Sequence, residues 1–308
     1  GMDLDAMAPE YIGSRHPESV DMLRALSRPS TLIDQAEIAR GKAFSWPQND
    51  RDRTDLTLFI LKTYDPHVML LHLIGLDSAQ HTYGPGSAES LKTLAEVDGH
   101  VGEILDAIKA SGRPTHVTVV SDHGFLATKT QLQPNFAFKQ AGLLQAGSRG
   151  EVTSWRAYFH ASGGSGFVYV KDAADRARVQ QLLMEMKKDP ANGILNVWTS
   201  AELAAKGSHP DAAFGIDVVD GFYLGGGHDV LLKASGSKGG HGFDPERKAL
   251  HSSFILAGSS VQKRGSVGVI RMTQIAPTLA SILEVSLSPR AAKALSVSSN
   301  TVTSANRQ

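Results

Sequence analysis

Cysteine is absent from the 308 residues, which removes disulfides, thiolate metal ligands and cysteine nucleophiles together. An excess of charge is missing too: Lys+Arg and Asp+Glu each number 31, so the formal net charge is zero. No basic stripe of the kind that binds nucleic acid is present, so an anionic substrate has to be attracted locally. Long apolar runs are lacking. The longest candidate, VMLLHLIGL from Val68, is strand-sized and falls short of the roughly 18–20 residues of a membrane span. The opening residues carry no signal-peptide pattern. Phosphate-loop, dinucleotide and nucleophile-elbow motifs are also missing: SGGSGF and SGSKGG do not match G-x-S-x-G, and GGGHD lacks the helix start that a phosphate loop requires.

What is there reads as one α/β domain over residues 1–308, with a smaller α+β region inserted at 150–235. A short helix is expected within RHPESVDMLRALSRPS, ahead of Pro29. A second is expected over 51–64, with Leu56, Phe59, Ile60 and Thr63 on one face. The clearest amphipathic helix covers 88–111, where Leu91, Leu94, Val101, Leu105 and Ile108 recur at helical spacing before Gly112 and Pro114. It is flanked by two apolar runs, HVMLLHLI from His67 and THVTVVS from Thr115. Strand, helix, strand over this length predicts a βαβ unit with parallel strands. Further on, the pattern predicts a short helix within 134–150, strands at GFVYV, Gly193 to Val197, DVLLK and SFILAG, a helix over 173–188, and a last helix in RMTQIAPTLASILEVSL. The tail after Ser296 is polar and reads as frayed.

Polar, metal-competent residues cluster where these strands are expected to end. The first gives Asp77, with His81 four residues on. The second gives Asp122 and His123. His241 lies in a Gly-rich loop before SFILAG. In open α/β sheets ligands bind beyond the carboxyl ends of strands, so these five side chains are expected to share one site. Carboxylates and imidazoles suit Zn²⁺ or a similar divalent ion, and two ions roughly 4 Å apart can clamp the attacking and leaving oxygens of phosphoryl transfer. Each motif alone has a plainer reading: SDHG as a turn, His241 as a loop histidine. His72, His100, His116 and His251 read as structural or surface residues, and His228 in GGGHD is ambiguous. Tyr83 and Phe125 adjoin candidate ligands; a base could stack on them, with core packing the plainer role for Phe125.

Taken in order, GLDSAQHTYGP, VVSDHGF and GGHGFDP resemble the metal-binding motifs of the type I phosphodiesterase/nucleotide pyrophosphatase family, within the alkaline phosphatase superfamily. TLAEVDGHVGEIL and RMTQIAPTLASILEVSL resemble the helices between and after them, so the resemblance covers about Asp52 to Leu287. It implies an alkaline phosphatase-like fold, a mostly parallel sheet sandwiched by helices. It also implies two divalent ions, usually zinc. Asp77, His81 and His241 would hold one ion, and Asp122 and His123 would serve the other. The chemistry implied is attack of a Thr or Ser hydroxyl on a phosphodiester or phosphoanhydride, by way of a covalent phospho-enzyme, on a small phosphate ester such as a nucleotide. An exported parent protein, periplasmic or secreted, is implied as well. The family's first strand, its hydroxyl nucleophile and a further Asp ligand are not recognisable here. Asp3 and Asp5 are poor replacements, lacking a preceding strand and a following hydroxyl motif. No catalytic nucleophile is therefore assigned; the domain is expected to be incomplete at its N-terminus, impaired in turnover, and to compensate by rearrangement or as a homodimer. Sulfatase, phosphonate hydrolase and phosphomutase chemistry share such metal loops, and a non-catalytic scaffold with vestigial ligands is the reading from another class.

Overall fold

The computed structural model describes residues 24–46, 48–259, 261, 265–289 and 291–297. In chain order the elements are α1 (Leu32–Arg40), α2 (Asp50–Tyr64), α3 (Gly75–Tyr83), α4 (Ala88–Ser111), β1 (Val117–Val120), β2 (Leu126–Leu132), α5 (Pro134–Gln140), β3 (Leu144–Ala146), β4 (Val152–Trp155), β5 (Ala157–Ala161), β6 (Ser165–Val170), α6 (Arg176–Lys188), β7 (Ile194–Thr199), α7 (Ser200–Ala205), β8 (Phe214–Val218), β9 (Gly221–Leu224), β10 (Leu232–Ala234), β11 (Gly239–Gly240), β12 (Phe254–Ala257) and α8 (Ile275–Ile282). They fall into two compact units. The larger comprises the chain up to Ala107 with Gly124–His251, and the smaller Ile108–His123 with Ser252 onward.

In the larger unit the main core forms on the four-stranded antiparallel sheet β5-β6-β8-β7. Phe159, Val168, Ile216 and Val218 from the sheet meet Val179 and Leu183 of α6 in one cluster. A second sheet centres on β2, which pairs antiparallel with β10 and β11 and parallel with β9. α1 and α2 close a smaller core of Leu32, Ile33, Ala36, Phe44 and Leu56. Asn49 caps α2, its side chain accepting from the Asp52 amide. In the smaller unit β1 and β12 form an antiparallel ladder from Val117↔Ala257 to Val120↔Phe254. Ser253 extends it, its amide donating to Ser121 Oγ at 2.9 Å.

The helices expected over 51–64, 88–111 and 173–188 appear within a residue or a turn of those bounds. Most of the helix expected in 15–30 lies outside the described residues, as do Asp3, Asp5 and nearly all of the tail after Ser296. Two expectations need correction. The run His67–Ile74 is not a strand, and the parallel pairing predicted for it with THVTVVS does not form. β1 pairs antiparallel with β12, and among the described residues only β2 and β9 run parallel. The end of that run is held by α2 instead: Arg53 donates to His72 O at 3.1 Å, and the Ile74 and Gly75 amides donate to the Asp50 carboxylate at 2.8 and 2.9 Å. Nor is the run buried: Val68 and Leu70 are 54% and 66% exposed. A short apolar run does not by itself fix an element or its cover, and here side chains take over the role of a ladder. Likewise Leu91, Leu94 and Leu105 give α4 its period yet stay exposed; the spacing predicts the helix and not what covers it.

Asp52 ties the α1–α2 core together. It is buried, paired with Arg40 at 2.6 Å, and accepts from the Ser45 amide at 2.8 Å. Burial pushes its carboxyl up, but the Ser45 and Arg40 hydrogen bonds together outweigh that and hold it below the ordinary 3.8. The folded state therefore binds fewer protons than the unfolded chain in this range, so stability falls as pH drops. Asp52→Asn is expected to cost about 1–3 kcal/mol at neutral pH. Chemical denaturation across a pH series should show the gap to wild type closing as pH falls below 3.8 through the lower folded value.

Candidate metal centre

α3 places Asp77 in its first turn and His81 in its last, four residues apart and so on one helical face. The strand end expected before Asp77 is thus a helix start. His241 arrives on the loop that follows the two-residue strand β11. The three side chains converge: His81 Nε2 lies 3.6 Å and His241 Nε2 3.8 Å from the same Asp77 oxygen, Oδ1. Both separations are too long for good hydrogen bonds. They are close to what a shared cation asks for, since donors about 2.0–2.2 Å from a tetrahedral ion stand roughly 3.4 Å apart. All three side chains are about one-third to one-half exposed, so solvent and solutes reach them.

The supports of this cluster are local and specific. His81 Nδ1 sits 3.0 Å from Gly239 O. A carbonyl only accepts, so Nδ1 carries the proton and Nε2 presents its lone pair on the Asp77 side. A ring N–H spent on a backbone carbonyl is the usual arrangement behind a metal-bound histidine. Phe125 packs edge-on against both imidazoles, with ring centroids 4.9 Å from His81 and 5.3 Å from His241, and the imidazoles are 5.1 Å apart. The donor types and the protonation of His81 suit a divalent metal, and the two separations to Asp77 Oδ1 are near those that a shared ion asks for.

His241 is held through its backbone. Gly164 N donates to His241 O at 2.8 Å, while Ser165 N and Oγ donate to Gly242 O at 2.8 and 2.6 Å. Glycine is required on both sides of this contact. A Cβ on Gly163 would meet His241 O at 2.2 Å, and one on Gly242 would meet Ser162 O at 2.2 Å, with φ at +95° and +75° respectively. Further along, Arg247 ties the loop to the buried Asp217 at 2.7 Å and stacks its guanidinium over Phe243. Burial pushes the Asp217 carboxyl up despite that pairing.

Asp122 and His123 follow β1 in the smaller unit, as the sequence placed them. His123 Nε2 lies 3.4 Å from Asp122 Oδ2, and the His123 amide donates to Asp122 Oδ1 at 3.0 Å. Ser252 Oγ donates to Asp122 O at 2.8 Å. His228 is accounted for structurally: it is buried, its Nε2–H donates to Gly150 O at 2.9 Å, and Lys139 and Asp229 flank Nδ1.

Two residues of the larger unit escape sequence reasoning. Ser237 reaches the His81 ring from a loop without a motif. The Tyr223 ring packs where a Gly240 Cβ would lie, 2.4 Å from it. Burial raises the Tyr223 hydroxyl first and the Asp77 charge adds to it, which keeps it a proton-bearing donor at neutral pH. No element is assigned around Tyr223 from the sequence, and nothing in the local pattern marks it.

A sequence model of the type I phosphodiesterase / nucleotide pyrophosphatase family matches residues 7–215. Ectonucleotide pyrophosphatase/phosphodiesterase family member 1 of Homo sapiens is 43% identical over 61 residues, 19% of this chain and 7% of that protein. An uncharacterized pyrophosphatase/phosphodiesterase of Schizosaccharomyces pombe is 35% identical over 81 residues, 26% of this chain and 14% of that one. The solved structure of murine ectonucleotide pyrophosphatase/phosphodiesterase 5 superposes with a TM-score of 0.60 at 17% identity, covering 78% of this chain and 61% of that one. An inactive variant of the same murine protein was solved in complex with AMP. The chain thus spans less than two thirds of the relatives it resembles. The structural likeness shows the fold, α/β and alkaline phosphatase-like, as the motifs implied; the mostly parallel sheet expected with it is not seen, since among the described residues only β2 and β9 pair in parallel.

The Gly163 contact gives a direct test. Gly163→Ala is expected to lower stability by more than about 1 kcal/mol, because alanine neither fits the space nor favours the conformation. It should also weaken any uptake of a divalent ion by the cluster, because the displaced atom is the carbonyl of His241. Thermal melts with and without zinc check both effects.

Proposed function

From the premise that the chain belongs to the type I phosphodiesterase / nucleotide pyrophosphatase family, we propose that it acts as a metal-dependent hydrolase of phosphodiester or phosphoanhydride bonds in small phosphate esters, nucleotides among them. The observation that carries this reading is the convergence of His81 and His241 on Asp77 Oδ1. In this reading Asp77, His81 and His241 hold one divalent ion, zinc by their donor chemistry. Asp122 and His123 serve a second. Ions so held supply Lewis acidity, stabilising charge on phosphoryl oxygens and lowering the pKa of a bound hydroxyl.

The chain's own residues do the rest. Gly239 O keeps the His81 proton on Nδ1 and so leaves Nε2 available. Phe125 restricts both imidazoles to one approach. Tyr223, protonated near Asp77, is a donor for a substrate oxygen. The AMP complex of the murine relative supports a nucleoside monophosphate as product. No residue of this sequence is assigned as nucleophile, so turnover by the chain alone is proposed to be low. No described helix is long and apolar enough to cross a membrane. Self-association is part of the proposal, because Val120 and Ile255 leave apolar surface at 50% and 62% exposure; sedimentation velocity reading a monomer at all concentrations removes it.

Zinc analysis after dialysis, followed by hydrolysis of p-nitrophenyl nucleotide esters, tests the core claim. Zinc is expected to bind, and His241→Ala or Asp77→Asn to weaken it by at least about tenfold, the loss of one ligand of three. Turnover is expected to be weak and abolished by either substitution. A protein that carries no zinc, and whose melting temperature ignores added zinc, sinks the metal reading and leaves a scaffold. Robust turnover that vanishes in His241→Ala confirms the centre and refutes the impairment.

A further inference from the structure

Ser237 contacts the candidate centre at both the ring and the main chain of His81. Its Oγ lies 3.3 Å from His81 Nδ1 and donates to His81 O at 2.8 Å, with Gly239 O also within reach. The neighbouring Lys238 amide donates to that same His81 carbonyl at 2.8 Å. The segment is pressed onto α3, for a Cβ on Gly239 would meet Gln80 O at 2.4 Å. The other flank is fixed to β2: Thr128 Oγ1 donates to Ser237 O at 2.6 Å and the Thr128 amide to Lys238 O at 3.0 Å.

We propose that Ser237 is a positioning residue for the metal centre, holding the His81 imidazole with Nδ1–H turned inward and Nε2 offered to the ion. The proposal rests on the reading of Asp77, His81 and His241 as ligands. The hydroxyl joins three groups that must stay in register: the end of α3, the His81 ring, and the Gly239 carbonyl two residues before His241. It thereby couples two ligands that are far apart in sequence. Its single hydrogen goes to a carbonyl, and its lone pairs face the His81 Nδ1–H. Deleting it leaves that N–H to Gly239 O alone and frees the segment to shift along α3.

A competing idea is that Ser237, His81 and Asp77 form a nucleophilic relay, since the three are adjacent in that order. The hydrogen bonding argues against it. A nucleophilic serine needs a base with a free lone pair, whereas His81 Nδ1 is a donor to Gly239 O and the serine hydrogen is committed to main-chain oxygens.

The test combines zinc affinity, measured by competition with a chromophoric chelator, and long-range ¹H–¹⁵N correlation spectra of the metal-free protein. Ser237→Ala is expected to weaken zinc binding about tenfold, the lower end for loss of such a support. The double variant Ser237→Ala/His81→Ala should bind no more weakly than His81→Ala alone, because the serine acts only through that ring. Wild-type spectra should show His81 as a single Nδ1–H tautomer, and Ser237→Ala a mixture. Ser237→Thr, which keeps the hydroxyl, should restore affinity and tautomer; if Ser237→Ala does not fold, Ser237→Gly, which likewise removes the hydroxyl and adds no metal ligand, replaces it in every comparison. Unchanged affinity, or an equal loss in the His81→Ala background, overturns the proposal. Wild-type protein that takes up no zinc overturns the metal reading instead, and the tautomer spectra then still report whether Ser237 orders His81.

Discussion

A histidine has two ring nitrogens, and in this protein the environment of His81 decides which one is offered. Gly239 O can only accept, so Nδ1 must donate and Nε2 must be bare. This hydrogen bond sets the direction of the lone pair toward Asp77, and together with the Ser237 and Lys238 bonds to His81 O it fixes the register of β11 against α3. Because Gly239 lies two residues before His241, it also links the two imidazoles through main chain rather than through side-chain packing alone. A centre built this way can exist before any cation arrives, which lowers the cost of assembling it.

The sheet core is the other half of that preorganisation. β5 and β6 belong to the main buried core of the larger unit, and the turn between them with the first residue of β6 grips the carbonyls of His241 and Gly242 by three hydrogen bonds. The turn contributes no ligand. What it contributes is a fixed place for the main chain, and it does so by bringing two backbones closer than any side chain allows. Arg247 continues the same attachment by pairing with a fully buried Asp217. A buried carboxylate is costly to leave unpaired, so the loop that carries His241 cannot lift at this point without exposing that cost.

The parts legible in the sequence were those encoded by local rules. α2, α4 and α6 follow from period and capping, and the D-x-x-x-H pair followed from spacing that α3 turned into one face. The motifs around Asp77, Asp122 and His241 carried the family. What could not be read was non-local. His67–Ile74 has the composition of a buried strand, yet Arg53 and Asp50 hold its end, and no residue pattern announces such a substitution. The antiparallel partner of β1 lies over 130 residues away in the chain, and pairing direction is set there by tertiary context. Ser237 and Ser165 stand in glycine-rich text that reads only as loop. Their roles come from which carbonyl happens to be in reach, which is a property of the folded backbone.

The neutral charge balance of the chain bears on how such a centre would work. Asp77 Oδ1 stands at the meeting point of two imidazoles and is partly open to solvent. A phosphate ester approaching the bare cluster would meet a carboxylate charge with no surplus of lysine or arginine to offset it, a repulsion of about 1–4 kcal/mol at contact distances near a protein surface. A cation bound by the three donors would reverse that sign and turn the least welcoming point for an anion into the most welcoming one. Under the proposed function the cluster would therefore select an order of events: cation first, phosphate second. In a chain without excess positive charge, affinity for anionic substrates would then depend on the same donors that hold the metal.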